Sequence, residues 1–385
     1  MFRVLIIADK FKGSLTARQV CSILSKSFVD EVVGAEVCAI PLADGGDGTI
    51  DAIEHFGNET IMIDTCDPLG RPVTVPVLRV ADKVLCEMAK STGLWSLPKN
   101  ERDPRQTSSY GFGKVIDSVA KKGYRKILLG IGGSATNDAG AGMLSALGFR
   151  FLDSDGNLVS NDGFVRGSDL QNIRLVDDSG VPQYVRDLQI EVACDVNNPL
   201  TGIYGASHVY GPQKGATPDI VRLLEKGVAG FADVSRAWSG KDLSSLPGAG
   251  AAGGVGYALA LYLNAKLLSG WRLLFDLLDV DGKMEGCNLV VTGEGRVDGQ
   301  SLSGKLLDGV LQRAMFHKKR VWVFCGESTL TRNQLEVAGV ERLFSISTIQ
   351  PCKERAIARG EHYLEKISRD AATFLNAVAS NRQTN

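Results

Sequence analysis

Residues 3–28 read RVLIIADKFKGSLTARQVCSILSKSF, and the three patterns they contain, taken in order, decide the fold class. Val4-Leu5-Ile6-Ile7-Ala8 is a continuous apolar run of strand length, the pattern of a parallel strand covered on both faces. Asp9 to Leu15 is a polar loop holding Lys10, Lys12, Gly13 and Ser14. Thr16-Ala17-Arg18-Gln19 then has capping-box spacing: a hydroxyl and an amide side chain can satisfy each other's backbone N–H groups. Val20, Ile23, Leu24 and Phe28 come next, on one helical face. Strand, polar loop, amphipathic helix is the building unit of an α/β fold.

Further apolar runs of the same kind are Val37 to Ile40, Ile127 to Ile131, Ile190 to Ala193, Leu289 to Thr292 and Val321 to Cys325. Helical patterns lie between them. One is expected to open near Asn137, one to run from Ala251 to Ala265, and one to occupy the tail from Arg355 to Ala379. Residues 60–88 differ, because Thr60 to Ile63, Val73 to Leu78 and Val84 to Met88 are separated by turns such as Pro68-Leu69-Gly70, with no helix between. Such a meander marks entry into a second domain with a mixed sheet. Residues 1–59 and 284–385 are therefore expected to form one α/β domain, interrupted by a second over 60–283.

A chain of 385 residues with 44% hydrophobic and 23% charged residues can bury two ordinary cores. The net charge of −1 supplies no electrostatic footprint for nucleic acid. Eight cysteines without a C-x-x-C pair read as reduced thiols, and four scattered histidines argue against a histidine-rich metal centre. The first apolar run is too short for a signal peptide and is followed by Asp9 and Lys10, and no stretch has membrane-spanning length. A cytoplasmic protein with no membrane partner is expected.

Ligands of open parallel sheets bind beyond the carboxyl ends of the strands. Chemistry-bearing residues stand after five of the runs. Phosphoryl transfer needs a loop that approaches phosphates, cations, carboxylates for Mg²⁺, and a carboxylate near the acceptor hydroxyl. Gly130-Ile131-Gly132-Gly133-Ser134-Ala135-Thr136, running from strand towards helix, suits the first need, since small residues let backbone N–H groups reach an anion. Lys12 suits the second. Glu294 and Asp298 alternate with Arg296 along one loop and suit a cation that takes one or two carboxylates; an ion pair with Arg296 is the competing reading. Asp195, at the end of a buried run, could be desolvated and accept a hydroxyl proton, or could close an Asx turn with Asn197. Asp44 and Asp47 sit among glycines and suit metal or hydroxyl groups, Asp47 better as a helix cap. Two other motifs carry less. Gly299 to Lys305 has P-loop spacing, but Leu306 replaces the needed Ser or Thr and the strand is expected to end well before Gly299. Gly248 to Gly253 matches a dinucleotide fingerprint without a convincing strand before it, and reads better as glycines for close packing.

At these loops the sequence resembles the bacterial type I glycerate kinase family. The matching stretches are Asp9-Lys10-Phe11-Lys12-Gly13-Ser14-Leu15, Pro41 to Thr49 and Gly132 to Asp138. They continue with Ala193 to Leu200, Gly211 to Thr217, Gly248 to Gly254 and Thr292 to Asp298, in family order over nearly the whole chain. Lys10, where serine is more usual, and Gly299 depart from the pattern without removing a candidate group. The resemblance implies ATP-dependent phosphorylation of D-glycerate, usually at the 2-hydroxyl, with Mg²⁺. It also implies a flavodoxin-like parallel-sheet domain and a second α/β domain with a restriction-endonuclease-like sheet, the active site lying in the cleft between them. ATP is then expected on Gly132, Gly133, Ser134, Thr136 and Asn137 with Lys12 and Lys214 nearby. Mg²⁺ is expected on Glu294 or Asp298. Asp195 is the first choice of general base and Asp44 the second. Arg71 or Arg296, with Ser14, is expected to hold glycerate. The alternatives are a 3-phosphoglycerate-forming or related hydroxy-acid kinase, and a nucleotide- or metabolite-binding protein without turnover. A homodimer is compatible with the sequence.

Overall fold

A computed structural model describes residues 1–42, 49–56 and 59–382. Its strands, in chain order, are β1 Phe2–Ala8, β2 Ala35–Pro41, β3 Glu59–Cys66, β4 Pro72–Val80, β5 Lys83–Glu87, β6 Lys126–Gly130 and β7 Arg150–Leu152. They continue with β8 Leu175–Asp177, β9 Gln189–Ala193, β10 Lys266–Leu268, β11 Leu289–Val297, β12 Arg320–Ser328 and β13 Arg342–Ser345. The chain divides into two compact units, Met1–Asp44 with Asp51–His55 and Leu274–Asn385, and Gly45–Ile50 with Phe56–Leu273.

In the first unit five strands pair in the order β13-β12-β11-β1-β2, all parallel. Numbered within the unit, that is the flavodoxin-like order 2-1-3-4-5, whose switch point lies between the carboxyl ends of β1 and β11. Val4 to Ala8 and Leu289 to Val291 are fully buried, as the unbroken apolar runs require. The capping box forms: Thr16 Oγ1 accepts from Gln19 N at 3.2 Å, and Gln19 Oε1 accepts from Thr16 N at 2.9 Å. It starts the helix Ala17–Glu31, which buries Val20, Leu24 and Phe28. Phe28 meets Trp322 and Phe324 with ring centroids 6.3 and 6.4 Å apart. The tail helix packs beside it through Leu364, Ile367, Ala371 and Leu375, and Ser27 Oγ lies 2.7 Å from Ser368 Oγ. The tail is two helices where the sequence pattern predicts one, Lys353–Ala358 and Gly360–Arg382. Ser14 causes the break, because its hydroxyl donates to the Ile357 carbonyl at 2.8 Å and lies where any Cβ at residue 360 would stand.

The second unit holds a mixed sheet in the order β10-β9-β6-β5-β4-β3. β3, β4 and β5 form the antiparallel meander, while β5, β6, β9 and β10 run parallel. The helix Tyr110–Lys121 covers it with Phe112, Val115, Ile116 and Val119, and the helix Val255–Tyr262 is buried on nearly all sides. That second helix is shorter than the pattern 251–265 predicts. Ala252, Gly253 and Gly254 have φ of +54°, +70° and +97°, so the chain turns tightly before helix begins, and Lys266–Leu268 joins the sheet as its edge. All eight cysteines are free thiols. No helix among the described residues is long and apolar enough to cross a membrane.

The Phe28 ring is a keystone of the first unit. Phe28→Ala is expected to lower stability by about 3–5 kcal/mol, the usual cost of emptying a buried aromatic site. Urea unfolding followed by tryptophan fluorescence checks this, and an unshifted midpoint would show that the ring is not what packs the helix onto the sheet.

Candidate active site

β6 delivers Gly130 to the carboxyl edge of the second sheet, in register with Glu87 of β5 and Ala193 of β9. The chain beyond it is held from three directions. Leu94 N donates to Gly133 O at 2.8 Å and Ala135 N to Thr92 O at 2.9 Å, a two-residue bridge with residues 92–94. Thr107 Oγ1 donates to Ala135 O at 3.1 Å. Ala139 N donates to Gly253 O at 3.0 Å. Gly133, with φ +71°, is exposed and Gly132 is half-buried, while Ser134 to Ala139 are buried.

The helix expected near Asn137 begins only at Ala141 and runs six residues, to Ala146. Asp138 accounts for the delay. Its Oδ2 accepts from Ser109 N and Ser109 Oγ, each at 2.7 Å, and from Gly142 N at 3.3 Å. Its Oδ1 accepts from Gly140 N at 3.2 Å. A carboxylate so placed winds the backbone around itself as a turn. The expected dipole contribution at Asn137 therefore falls away, and Gly132–Gly133 is the accessible part of the loop. Asn137 Nδ2 donates to Ser207 Oγ at 3.1 Å, and Thr136 Oγ1 and Asn137 Oδ1 are buried without a hydrogen-bond partner.

Lys214 lies under this loop with 2% of its surface exposed. Its Nζ donates to Ser134 Oγ at 2.9 Å and to the Thr136 carbonyl at 2.6 Å. Burial pushes its pKa down to about 7, opposed by the negative charge of Asp138; burial pushes Asp138 up in turn. The Nζ group is thus spent on the inside of the loop, and is not a charge offered to solvent.

Asp195 stands after β9 as the sequence suggests, but it is exposed where desolvation was expected. Its Oδ1 accepts from Gly270 N at 3.0 Å, a residue 75 positions away at the start of the helix Gly270–Leu277. Arg71 is bound twice, Nε to Asp67 Oδ2 at 2.5 Å and a terminal nitrogen to Glu101 Oε2 at 2.8 Å.

In the first unit the loop after β1 packs on the end of β11 at the switch point: Asp9 N donates to Gly293 O at 2.9 Å, and a Cβ on Gly295 would stand 3.0 Å from Lys12 N. Lys12 is exposed. β11 continues to Val297, two residues short of Gly299, because it stays paired with β12 through Arg296↔Glu327 and Val297↔Ser328. Glu294 and Arg296 are thus strand residues and not loop residues, sharing one side of β11 by alternation, and Asp298 follows the strand's end. Arg296 Nε lies 3.4 Å from Asp298 Oδ2 and 3.6 Å from Glu327 Oε1, and Lys353 Nζ lies 3.4 Å from the same Glu327 oxygen. Asp298 Oδ1 accepts from Gln300 N at 2.9 Å. No group of three or more His, Cys, Asp or Glu side chains among the described residues is arranged to enclose a metal. A Mg²⁺ ion that keeps its waters and takes phosphate oxygens needs only one or two carboxylates, and Glu294 and Asp298 fit that smaller demand. Asp44 and Asp47 lie outside the described residues.

Residues 4–376 match the sequence pattern of the glycerate kinase family. The protein named glycerate kinase in Bacillus subtilis (strain 168) is 36% identical over 97% of both chains. The Escherichia coli (strain K12) protein named glycerate 2-kinase is 37% identical over 97% of this chain and 98% of its own. A crystal structure from Salmonella typhimurium LT2, described as a glycerate kinase 2, superposes with a TM-score of 0.84 at 35% identity, covering 98% of this chain and 99% of that one. The chain belongs to the glycerate kinase family. It is a kinase whose acceptor is an alcohol group.

Within that glycerate kinase frame, several residues at the strand ends escaped the sequence reading. Glu87 is the clearest: it closes β5, is buried, and accepts from Ile50 N through Oε1 at 2.9 Å. The signal was present, since Val84-Leu85-Cys86-Glu87 is an apolar run ending in an acid, the pattern that singled out Asp195. Glu327 had the same signal more weakly. Ser109 and Ser207 had none, because their partners are 29 and 70 residues distant.

Two measurements probe the loop. A Cβ on Gly253 would stand 2.0 Å from the Thr136 carbonyl at a φ of +70°. Gly253→Ala should therefore cost at least about 1–3 kcal/mol, seen as a lower urea midpoint; a neutral substitution would mean that the two backbones are not so tightly apposed. For Lys214 the sign comes from proton counts. The unfolded chain keeps this proton up to about 10.5 and the folded chain releases it near 7, so above pH 7 the unfolded state binds more protons and stability rises with pH. Between pH 7 and 8 the wild type should gain up to about 1.4 kcal/mol relative to Lys214→Met, measured as the difference of their urea midpoints; parallel curves would contradict it.

Proposed function

We propose that this kinase transfers the γ-phosphoryl group of ATP to the 2-hydroxyl of D-glycerate, giving 2-phosphoglycerate and ADP. The observation that carries the reading is the full-length match to relatives named for glycerate, among them a glycerate 2-kinase, on a chain that keeps polar groups at the strand ends. In this reading Gly132 and Gly133, with Ser134 behind them, bring backbone donors to the nucleotide phosphates, and exposed Lys12 adds a point charge. Asp195 accepts the acceptor hydroxyl's proton. The hydrogen bond from Gly270 N holds the carboxylate through Oδ1. As that proton leaves, the hydroxyl oxygen bonds to the γ-phosphorus and the bond to the β–γ bridging oxygen breaks, releasing ADP. Glu294 and Asp298 would hold Mg²⁺, which supplies charge neutralisation of the phosphate oxygens. Arg296 or Arg71 pairs with the glycerate carboxylate, to which a guanidinium fork is matched.

Purified protein with ATP, Mg²⁺ and D-glycerate should yield 2-phosphoglycerate by NMR. The 3-phosphate would overturn the position and keep the kinase; no phosphorylated glycerate would move the acceptor to another hydroxy acid or favour binding without turnover. Asp195→Asn should lower kcat by about 10²–10⁴-fold with ATP affinity nearly unchanged, and an unchanged kcat would remove Asp195 as the base.

A further inference from the structure

Lys214 is a buried titratable group to which a simple phosphate-binding role does not fit. Its ammonium would have three donors, yet Nζ has two acceptors, Ser134 Oγ and the Thr136 carbonyl, which is the complement of a neutral amine. The lysine is locked from its own backbone as well. Gly215 comes directly after it at φ +97°, so close to Arg102 that a Cβ would stand 2.1 Å from the Arg102 carbonyl. The side chain therefore enters the loop from the buried side, with little freedom to swing outward. Of the charged groups on the packed elements, Asp138 is the one among the described residues that acts on it, held by Ser109, Gly140 and Gly142. Arg102 turns its guanidinium to the Leu97 carbonyl at 3.1 Å and over the Trp95 ring. On the helix Ala206–Tyr210, His208 pairs with Glu225 at 3.5 Å.

We propose that Lys214 is a positioning residue that holds the Gly132–Asn137 loop from inside through Ser134 and Thr136, sets the loop's affinity for the nucleotide phosphates without touching them, and takes up a proton when they bind. The inference rests on the reading of this loop as the nucleotide site. Removing Nζ leaves a buried hydroxyl and a buried carbonyl without their donor, so the loop relaxes away from the shape in which it presents Gly132 and Gly133. A polyanion arriving on the outer side of the loop also lowers the potential at Nζ, which favours the ammonium; by linkage, proton uptake and anion binding assist each other.

The test is titration calorimetry with MgATP near pH 7.5 in two buffers of different ionisation enthalpy, on wild type, Lys214→Met, Ser134→Ala, the double variant and Gly133→Val. The wild type should take up a fraction of a proton on binding, and Lys214→Met should take up none. Lys214→Met should weaken ATP by about ten- to a hundredfold and leave the KM for D-glycerate within about twofold. The double variant should bind ATP no more weakly than Lys214→Met alone, since one side chain acts through the other. Losses that add in full would mean an independent contact with the phosphates and would overturn the proposal, as would proton uptake unchanged in Lys214→Met. If that variant does not fold, Ser134→Ala decides: wild-type affinity with the wild-type proton count overturns it. Gly133→Val separates the two levels. Wild-type ATP binding there would sink the loop as nucleotide site, whereas weakened binding there with normal binding in Lys214→Met would sink the role of Lys214 alone.

Discussion

A parallel strand covered on both faces has nowhere to put a polar side chain except at its ends, and this constraint arranges everything that bears chemistry in the molecule. In the first unit β1 and β11 are buried on both faces, and the chain order 2-1-3-4-5 makes the connections leave these two neighbours in opposite directions. Their carboxyl ends therefore open onto a crevice that no crossover fills. Lys12, Glu294, Arg296 and Asp298 are collected there by topology, and Arg296 and Asp298 also pair at 3.4 Å. In the second unit the same rule brings Glu87, Gly130 and Asp195 to one edge, from three strands that are adjacent and parallel.

At the loop after β6 such an edge is also made rigid. Its outer residues are small and accessible, and its inner residues are tied to parts of the chain far away in sequence. The carboxylate of Asp138 gathers four donors, and the amine of Lys214 reaches two acceptors. A buried polar network of this kind is stabilising only when its members are satisfied. The loop comes near that condition, with the exception of Thr136 Oγ1 and Asn137 Oδ1. The glycine turn at Gly253 belongs to the same design, because it lets a second backbone lie directly against the first.

What the sequence makes legible here is what is local. The six apolar runs, the capping box at Thr16 and the antiparallel meander each depend on neighbours within a few residues, and the structure forms all of them, although the run Val37 to Ile40 lies in the edge strand β2 and is only partly buried. The features it does not disclose are set by distant partners. The helix expected at Asn137 is held off until Ala141 because Asp138 binds Ser109. β11 runs on to Val297 because β12 pairs with it there, and the tail helix breaks because Ser14 reaches Ile357. Asp195 accepts a hydrogen bond from the start of another helix, 75 residues on. Motif matching found Lys214 by its place in Gly211 to Thr217, yet its burial under the loop has no signature in that stretch.

The two arginines considered for a substrate carboxylate differ in how firmly they are already held. Arg71 is bound by Asp67, a carboxylate with only 7% of its side chain exposed, at 2.5 Å, and by Glu101 at 2.8 Å. Asp67 also accepts from Leu69 N and Arg71 N, so releasing its arginine would leave a buried charge in a turn that it organises. Arg296 is different. Its side chain is 55% exposed and its partners stand at 3.4 and 3.6 Å, beyond good hydrogen-bond distance. Exposed pairs of that kind contribute at most about 1 kcal/mol. Of the two, Arg296 is therefore the side chain that the fold holds loosely where it now lies.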